Sequence, residues 1–366
     1  MTKPMKRALI VFLITSAIGL IALFAVARTA WTYGDRPGGS ATGKVAVEIP
    51  TGASALDVAS RLKDAGLIGN PTVFRLYAGQ RGVAGRFKAG RYEIAAPASP
   101  KQILDTLVKG AADELVTVVV PPGKNLLEVA EILAAAGVAG KAELVTKASD
   151  PAFAAELGLP GNTLEGYLFP DTYRLRPRST PARALIPLVR RHRQVWGELR
   201  AAHAKAALEL KKTLGFDDHN IVVLASIVEK ETGRPEERPR IAQVFINRLL
   251  MPTFRPKLLQ TDPTIIYGCT IATTRSAACQ KWDGRIHRIH LDDRDNVYNT
   301  YTHEGLPPGP ISNPGRAALE AVFAPDHTPF LYFVAKNDGT HQFSRTVAEH
   351  NAAVVKYQRG GKALEQ

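Results

Sequence analysis

VEIPTGASALDVASRLKDAGL, residues 47–67, aligns without a gap to VVVPPGKNLLEVAEILAAAGV, residues 118–138. Val, Pro, Gly, Leu, Val, Ala, Leu, Ala and Gly coincide, nine of the 21 positions. Each copy reads as a short β-branched strand, a Pro-x-Gly turn and a helix, with Leu56, Ala59 and Leu62 on one helix face in the first. Gly66 and Gly137 then stop the helices as the residues just past their ends. Alanine-rich helices resemble one another by chance, but the matched Pro-x-Gly turn points to a true repeat. Between the copies, Phe74–Ala78 predicts a helix, Gly90–Ile94 a strand and Pro100–Val108 a helix. The first copy therefore belongs to a βααβα module over residues 45–112.

Beyond the second copy, Thr180–Thr213 reads as helical, with Leu185, Leu188, Val189, Trp196 and Leu199 on one face. Asn220–Thr232 predicts a buried helix, Arg240–Leu250 another, Pro329–Ala335 a core strand and Val347–Tyr357 a closing helix. Helices and strands mix without βα alternation, so the class is α+β. The larger unit runs over residues 113–366.

The front of the chain carries a different signal. Lys3, Lys6 and Arg7 precede ALIVFLITSAIGLIALFAVA, residues 8–27, which contains no charge. Such a run spans ~30 Å as a helix, the thickness of a bilayer core. Ala25-Val26-Ala27 resembles a cleavage site, but the apolar run is longer than the core of a signal peptide. The expectation is an uncleaved transmembrane anchor over residues 1–30 and a tether over 31–44. The basic flank then stays in the cytoplasm. That makes a single-pass protein of the cell inner membrane, with the remaining residues exported to the periplasm.

Of the 366 residues, 45% are apolar, which excludes a wholly disordered chain. The net charge is +13, and Arg174–Lys212 holds eleven Lys/Arg against Glu198 and Glu209. In an exported protein this surplus suits anionic lipid heads or wall-peptide carboxylates, and no nucleic acid is expected. Cys269 and Cys279 form no CxxC pair and have no further cysteines to complete a zinc site. In an oxidising compartment they read as one disulfide, with two free thiols as the alternative. No metal and no cofactor is expected.

LASIVEKETG, residues 224–233, places Glu229 and Glu231 two positions apart at the end of an apolar helix. Two helical residues turn about 200°, so the carboxylates face nearly opposite ways. They cannot be a hydrolase pair flanking one bond. Glu231 continues the apolar stripe of Leu224, Ile227 and Val228, and Gly233 reads as the residue past the helix end. The negative end of the helix dipole and any burial then favour a protonated Glu231, as a general acid requires. A salt bridge to Lys230, Arg234 or Arg238 is the bland alternative for either glutamate.

Other polar residues gather among apolar neighbours. VFINRL offers Asn247 and Arg248, and LQTDPTIIYG offers Gln260, Thr261 and Asp262. YNTYTHEGLPPGPISNPG offers Tyr298, Asn299 and Tyr301, and LEGYLFPDTYRL offers Glu165. With Glu229, these are the substrate-binding candidates, since amides and aromatic rings suit the hydroxyl edges and apolar faces of sugars.

Those stretches, with ASIVEKET and TPFLYFVAKNDGTHQFS, follow one another in the order found in the YceG-like family of endolytic murein transglycosylases, which the whole chain resembles. The resemblance implies cleavage of the β-1,4 bond between N-acetylmuramic acid and N-acetylglucosamine within peptidoglycan glycan strands, leaving 1,6-anhydro ends. It makes Glu231 the catalytic acid and then base, and it makes residues 45–112 a LysM-like module. It also implies a role in wall assembly or in ending glycan elongation, with cell-wall synthases as partners. The departure is CTIATTRSAACQKWDGRIHR, residues 269–288, a longer, cysteine-bearing insertion. Two other readings stay open: a non-catalytic peptidoglycan-binding scaffold, and a hydrolytic muramidase using Asp262, Glu304 or another carboxylate near Glu231.

Overall fold

The computed structural model describes residues 32–110, 115–272, 275–358 and 360. The apolar run at 8–27 lies outside them, and no helix of the described residues is long and apolar enough to cross a membrane. The chain divides into two compact units, Met1–Asp113 and Glu114–Gln366.

In the first unit, β1 (Gly43–Ile49) leads through the Pro50–Gly52 turn to α1 (Ala55–Asp64), followed by α2 (Pro71–Gln80), β2 (Gly90–Ala96) and α3 (Pro100–Lys109). The strands pair antiparallel, with Val47 opposite Tyr92. Ser54 and Asp57 form a reciprocal capping box that starts α1. Its end is a Schellman turn: Gly66 N–H donates to the Lys63 carbonyl and Leu67 N–H to that of Leu62. Gly66 has φ +70°, which a side chain would resist. The helices close over Val58, Ala59, Leu62, Phe74, Ile103 and Leu107. Leu56, expected on the buried face, is exposed. Val58 takes its place, one helical turn before Leu62.

The second unit opens on the same plan. β3 (Val116–Val119), α4 (Leu126–Ala135), α5 (Lys141–Ala148), an added α6 (Pro151–Glu156), β4 (Thr172–Leu175) and α7 (Pro181–Ala202) follow in order. Here Val118 lies opposite Tyr173, as Val47 lies opposite Tyr92. Tyr173 donates its hydroxyl to the Phe169 carbonyl at 2.5 Å, and Tyr92 donates to that of Lys88 at 2.5 Å. Asn125 and Glu128 cap α4, and Gly137, at φ +70°, closes it with the same pair of hydrogen bonds. Residues 91–109 also align without a gap to 172–190, with Tyr, Pro, two Leu and Val in common. The duplication therefore covers the whole βααβα module.

The rest of the unit surrounds one helix. α8 (Ala204–Leu214) is separate from α7 because the chain breaks at His203, so the expected 180–213 helix is two. α9 (Asp218–Glu231) begins at the capping box of Asp217 and Asn220, and every residue from Ile221 to Glu229 is buried. A helix buried on all sides is a core axis, not an amphipathic cover. α10 (Arg238–Leu250) packs on it. α11 (Asp262–Thr270) and the short α12 (Arg288–Leu291) flank the inserted loop. α13 (Arg316–Phe323) packs on α9 and α10, and the β5 (Tyr332–Ala335)–β6 (His341–Ser344) hairpin is covered by α14 (Val347–Gln358). α11 and β6 have no counterpart in the sequence-based expectation, and β5 is shorter than the predicted 329–335 strand.

Cys269, at the end of α11, is disulfide-bonded to Cys279. The bridge packs with Ile265, Trp282, Ile286, Leu291 and Tyr301, which pins the insertion against α11. Closing so short a loop stabilises by about 2–3 kcal/mol. Cys279→Ser should lower the denaturation midpoint accordingly, and an unchanged midpoint would count against any constraint from the bridge.

Candidate active site

Glu231 is the last residue of α9, and the chain leaves the helix through Thr232 in an extended conformation, φ −145° and ψ 138°. Gly233 does not enter the left-handed region, so the expected glycine stop is replaced by a direct turn into strand-like backbone. Glu231 is half-buried, and its carboxyl accepts a hydrogen bond from the Thr261 hydroxyl. Burial pushes its pKa up to about 7. Thr261, His341 and Arg248 oppose the rise, and the charge of Asp262 adds to it. A carboxyl poised there can give a proton and take one back near neutral pH.

Thr261 is held by the loop behind it. Its N–H donates to the Thr300 hydroxyl at 3.1 Å, and its carbonyl accepts from the Thr264 hydroxyl at 2.7 Å. Gln260, exposed and at φ +50°, donates its N–H to the Thr300 carbonyl. Asp262 opens α11, is exposed, and accepts from the Tyr301 hydroxyl at 2.7 Å. Arg248 is buried, donates to the Leu331 and Leu259 carbonyls, and lies over the Phe254 and Tyr332 rings at 5.6 and 5.5 Å. Thr261, Asp262, Arg248 and Tyr301 thus gather around Glu231.

The other candidates are framework. Glu229 is buried and turned away: Arg238 donates to it at 2.6 Å and Gly315 N–H at 2.9 Å. Burial raises its pKa despite both partners. The Asn247 amide donates to the Thr328 and Phe330 carbonyls, and that of Asn299 to the carbonyls of His290, Leu291 and Asp293. The Tyr298 ring packs on Tyr267 at 4.8 Å.

Glu165 lies under the cleft, 3% exposed. It accepts from Leu126 N–H at the start of α4, from the Tyr267 hydroxyl and from the Asn313 amide. Burial pushes its pKa to about 8, against the hydrogen bonds from Leu126, Tyr267 and Gly166 that favour the charged form. Buried amides and acids satisfied by the protein have nothing left for a ligand.

Two features escaped the sequence reading. His341 faces Glu237 through Nδ1 at 2.7 Å and donates its own backbone N–H to the same carboxylate at 2.9 Å. Arg234 donates to the carbonyls of Asp338 and Gly339, so the segment leaving Glu231 is tied to the β5–β6 hairpin. His341 lies inside TPFLYFVAKNDGTHQFS, where only its isolation kept it from notice. The second feature is the turn of the second repeat. Pro122, Gly123 and Lys124 form a wall of the cleft that holds Glu231. Gly123 has φ +75°, and an added Cβ there would lie 3.5 Å from Glu229 Cγ. Gly166, at φ +86°, admits no side chain, because a Cβ would meet Pro310 at 2.5 Å. Among the described residues no group of three or more His, Cys, Asp or Glu is placed to hold a metal ion.

The sequence profile of the YceG-like family matches residues 47–356, which takes in both copies of the repeat and the whole cleft. The chain belongs to the YceG-like family. It is 32% identical over 86% of its length to an endolytic murein transglycosylase of Bacillus subtilis, covering 84% of that protein. It is 28% identical to the endolytic murein transglycosylase of Streptococcus pneumoniae D39 over 86% of its length, and it covers 58% of that longer chain. Among solved structures it is similar to the 2.6 Å crystal structure of a YceG-like protein, lmo1499, from Listeria monocytogenes. The TM-score is 0.52 at 30% identity, covering 86% of this chain and all of that one. This YceG-like chain carries Glu231 at the end of a buried helix axis, with LQTD and YNTY, residues 259–262 and 298–301, supplying the carboxyl's surroundings.

Proposed function

We propose that this chain is a peptidoglycan lytic transglycosylase that cuts within glycan strands at the MurNAc-β-1,4-GlcNAc bond. The observation that carries the reading is one half-buried carboxyl, raised towards neutrality, at the wall of an open cleft. Glu231 gives its proton to the glycosidic oxygen as the C1–O bond breaks. The resulting carboxylate takes the proton from the muramoyl C6 hydroxyl while that oxygen attacks C1 of its own ring. The product is a 1,6-anhydro sugar, Glu231 ends protonated, and no water is consumed. Thr261 orients the carboxyl, and the charge of Arg248 favours the carboxylate formed midway. The anchor at residues 8–27 and a periplasmic site belong to the same proposal, as does wall binding by the N-terminal module.

The hydrolytic alternative has one observation in its favour, the carboxylate of Asp262 beside the site. Glu304 is an unsuitable partner, because it accepts from Lys257 N–H at 2.8 Å. Digestion of purified glycan strands, with products resolved by mass, decides the matter. Anhydro-muramoyl ends support the proposal, reducing ends support hydrolysis, and intact strands support a scaffold. The acid must carry its proton to start the reaction, so kcat/KM should fall as pH rises through about 7. A rate that stays flat to pH 9 would count against Glu231 as the acid.

A further inference from the structure

The second copy of the repeat differs from the first in chemistry at one end. Glu48, Thr51 and Lys88 of the first copy correspond to Val119, Pro122 and Phe169 of the second, and Ala89 corresponds to Pro170. Three polar positions have thus become apolar at the end of the strand pair beside the Pro-x-Gly turn; Phe169 is buried in the core, and Val119 and Pro122 lie at the surface. The change brings no folding gain at Val119, which is 59% exposed, nor at Pro121 and Pro122, which are also exposed. A lone surface valine needs no explanation, but a contiguous apolar face does.

Val119, Pro122, Phe169 and Pro170 line a single groove with Gly315 and Arg316. That groove adjoins the cleft at Glu231, since Pro122, Glu229 and Arg238 line both. The groove therefore lies next to the cleft of Glu231, along the modified face of the second copy.

We propose that this face, from Val119 to Pro170, is a sugar-ring subsite that holds the glycan strand beyond the bond to be cut. The inference rests on the function proposed above. An enzyme cutting inside a strand must grip rings on both sides of its acid, and Thr261, Asp262 and Tyr301 supply one side only. Pyranose rings present C–H faces that pack on proline and valine, while their hydroxyls and acetamido groups remain in water. The first copy, with Glu48 and Thr51 at the same places, lacks this surface and would not bind in the same way.

The test measures binding apart from chemistry. The full chain carrying Glu231→Gln, in detergent micelles, is titrated calorimetrically with peptide-free glycan strands of uniform length. Val119→Glu, which restores the charge of the first copy, should weaken binding about tenfold, and Val119→Thr about threefold. Threonine is well tolerated in exposed strands, so the second variant remains informative if the first fails to fold. Equal affinity for Val119 and both variants overturns the subsite. Absence of anhydro ends from the Glu231 parent would overturn the proposed reaction instead, and the binding comparison would still decide the subsite.

Discussion

Glu231→Gln should abolish the release of anhydro ends while leaving a folded and more stable protein. Glutamine keeps the shape of the side chain and can still accept the Thr261 hydroxyl bond, but it cannot deliver a proton. General acid–base catalysis alone is worth ~10²–10⁴-fold, and here one group acts as acid and then as base, so the loss should reach or exceed about 10⁴-fold. The stability gain has a definite pH dependence. Folded Glu231 titrates at about 7 against 4.5 for an ordinary glutamate, so the native state holds this proton more tightly than the unfolded chain. The stability so gained is complete below pH 4.5 and is lost as pH rises to 7. Glutamine loses nothing over that interval. Well above pH 7 the variant should therefore exceed the parent by about 3 kcal/mol, and the difference should vanish near pH 4. Denaturant titrations at both pH values check this, together with product analysis by mass. An active Glu231→Gln, or one destabilised at pH 8, would remove Glu231 from the acid role. Glu229→Gln should leave measurable turnover, since its side chain bonds Arg238 and Gly315 away from Thr261.

Arg238→Ala should destabilise the fold by about 3–5 kcal/mol, because it strands a buried carboxylate. The side chains of Arg238 and Glu229 are only 10% and 4% exposed, and the pair bridges α9, α10 and the Gly315 turn. Burial already pushes the Glu229 pKa up with the arginine present, so without it the carboxyl should escape by binding a proton. The deficit should accordingly shrink at acid pH, and adding Glu229→Gln should recover part of it at pH 8. A deficit below about 1 kcal/mol, independent of pH, would show that water reaches the pair.

The legible parts of this fold were those written in local backbone chemistry. The Pro-x-Gly turns and the glycines at 66 and 137 need particular dihedral angles, so the first half of the duplication could be read directly. Its second half could not. Leu67 to Tyr92 is a step of 25 residues, but Val138 to Tyr173 is one of 35, because α6 intervenes and a gapless comparison loses register. Pro263 lies in the first turn of α11, where its missing N–H has no helical partner to lose. The break at His203 involves no glycine or proline at all.

The position of Glu231 at the end of a buried apolar helix was legible, because it is a one-dimensional fact. Asn247, Asn299 and Glu165 were not separable from groove residues. An amide that brackets backbone carbonyls and one that awaits a sugar carry the same letter, and only burial tells them apart. The pairing of His341 with Glu237 spans 104 positions, beyond any periodicity.

The hairpin beside Glu231 is held from the far end of the chain. Asn337 donates to the Tyr357 carbonyl at 2.6 Å, and His350 stacks on Tyr332, whose ring also faces Arg248. α14 is thus a strut for the corner that holds Glu231, although none of its described residues lines the cleft. Engineering at that terminus is not neutral ground: a purification handle or fluorescent fusion crowding Tyr357 would press on the hairpin that steadies the acid. Immobilisation chemistry is better directed to Lys205, Lys211 and Lys212 of α8, which are exposed.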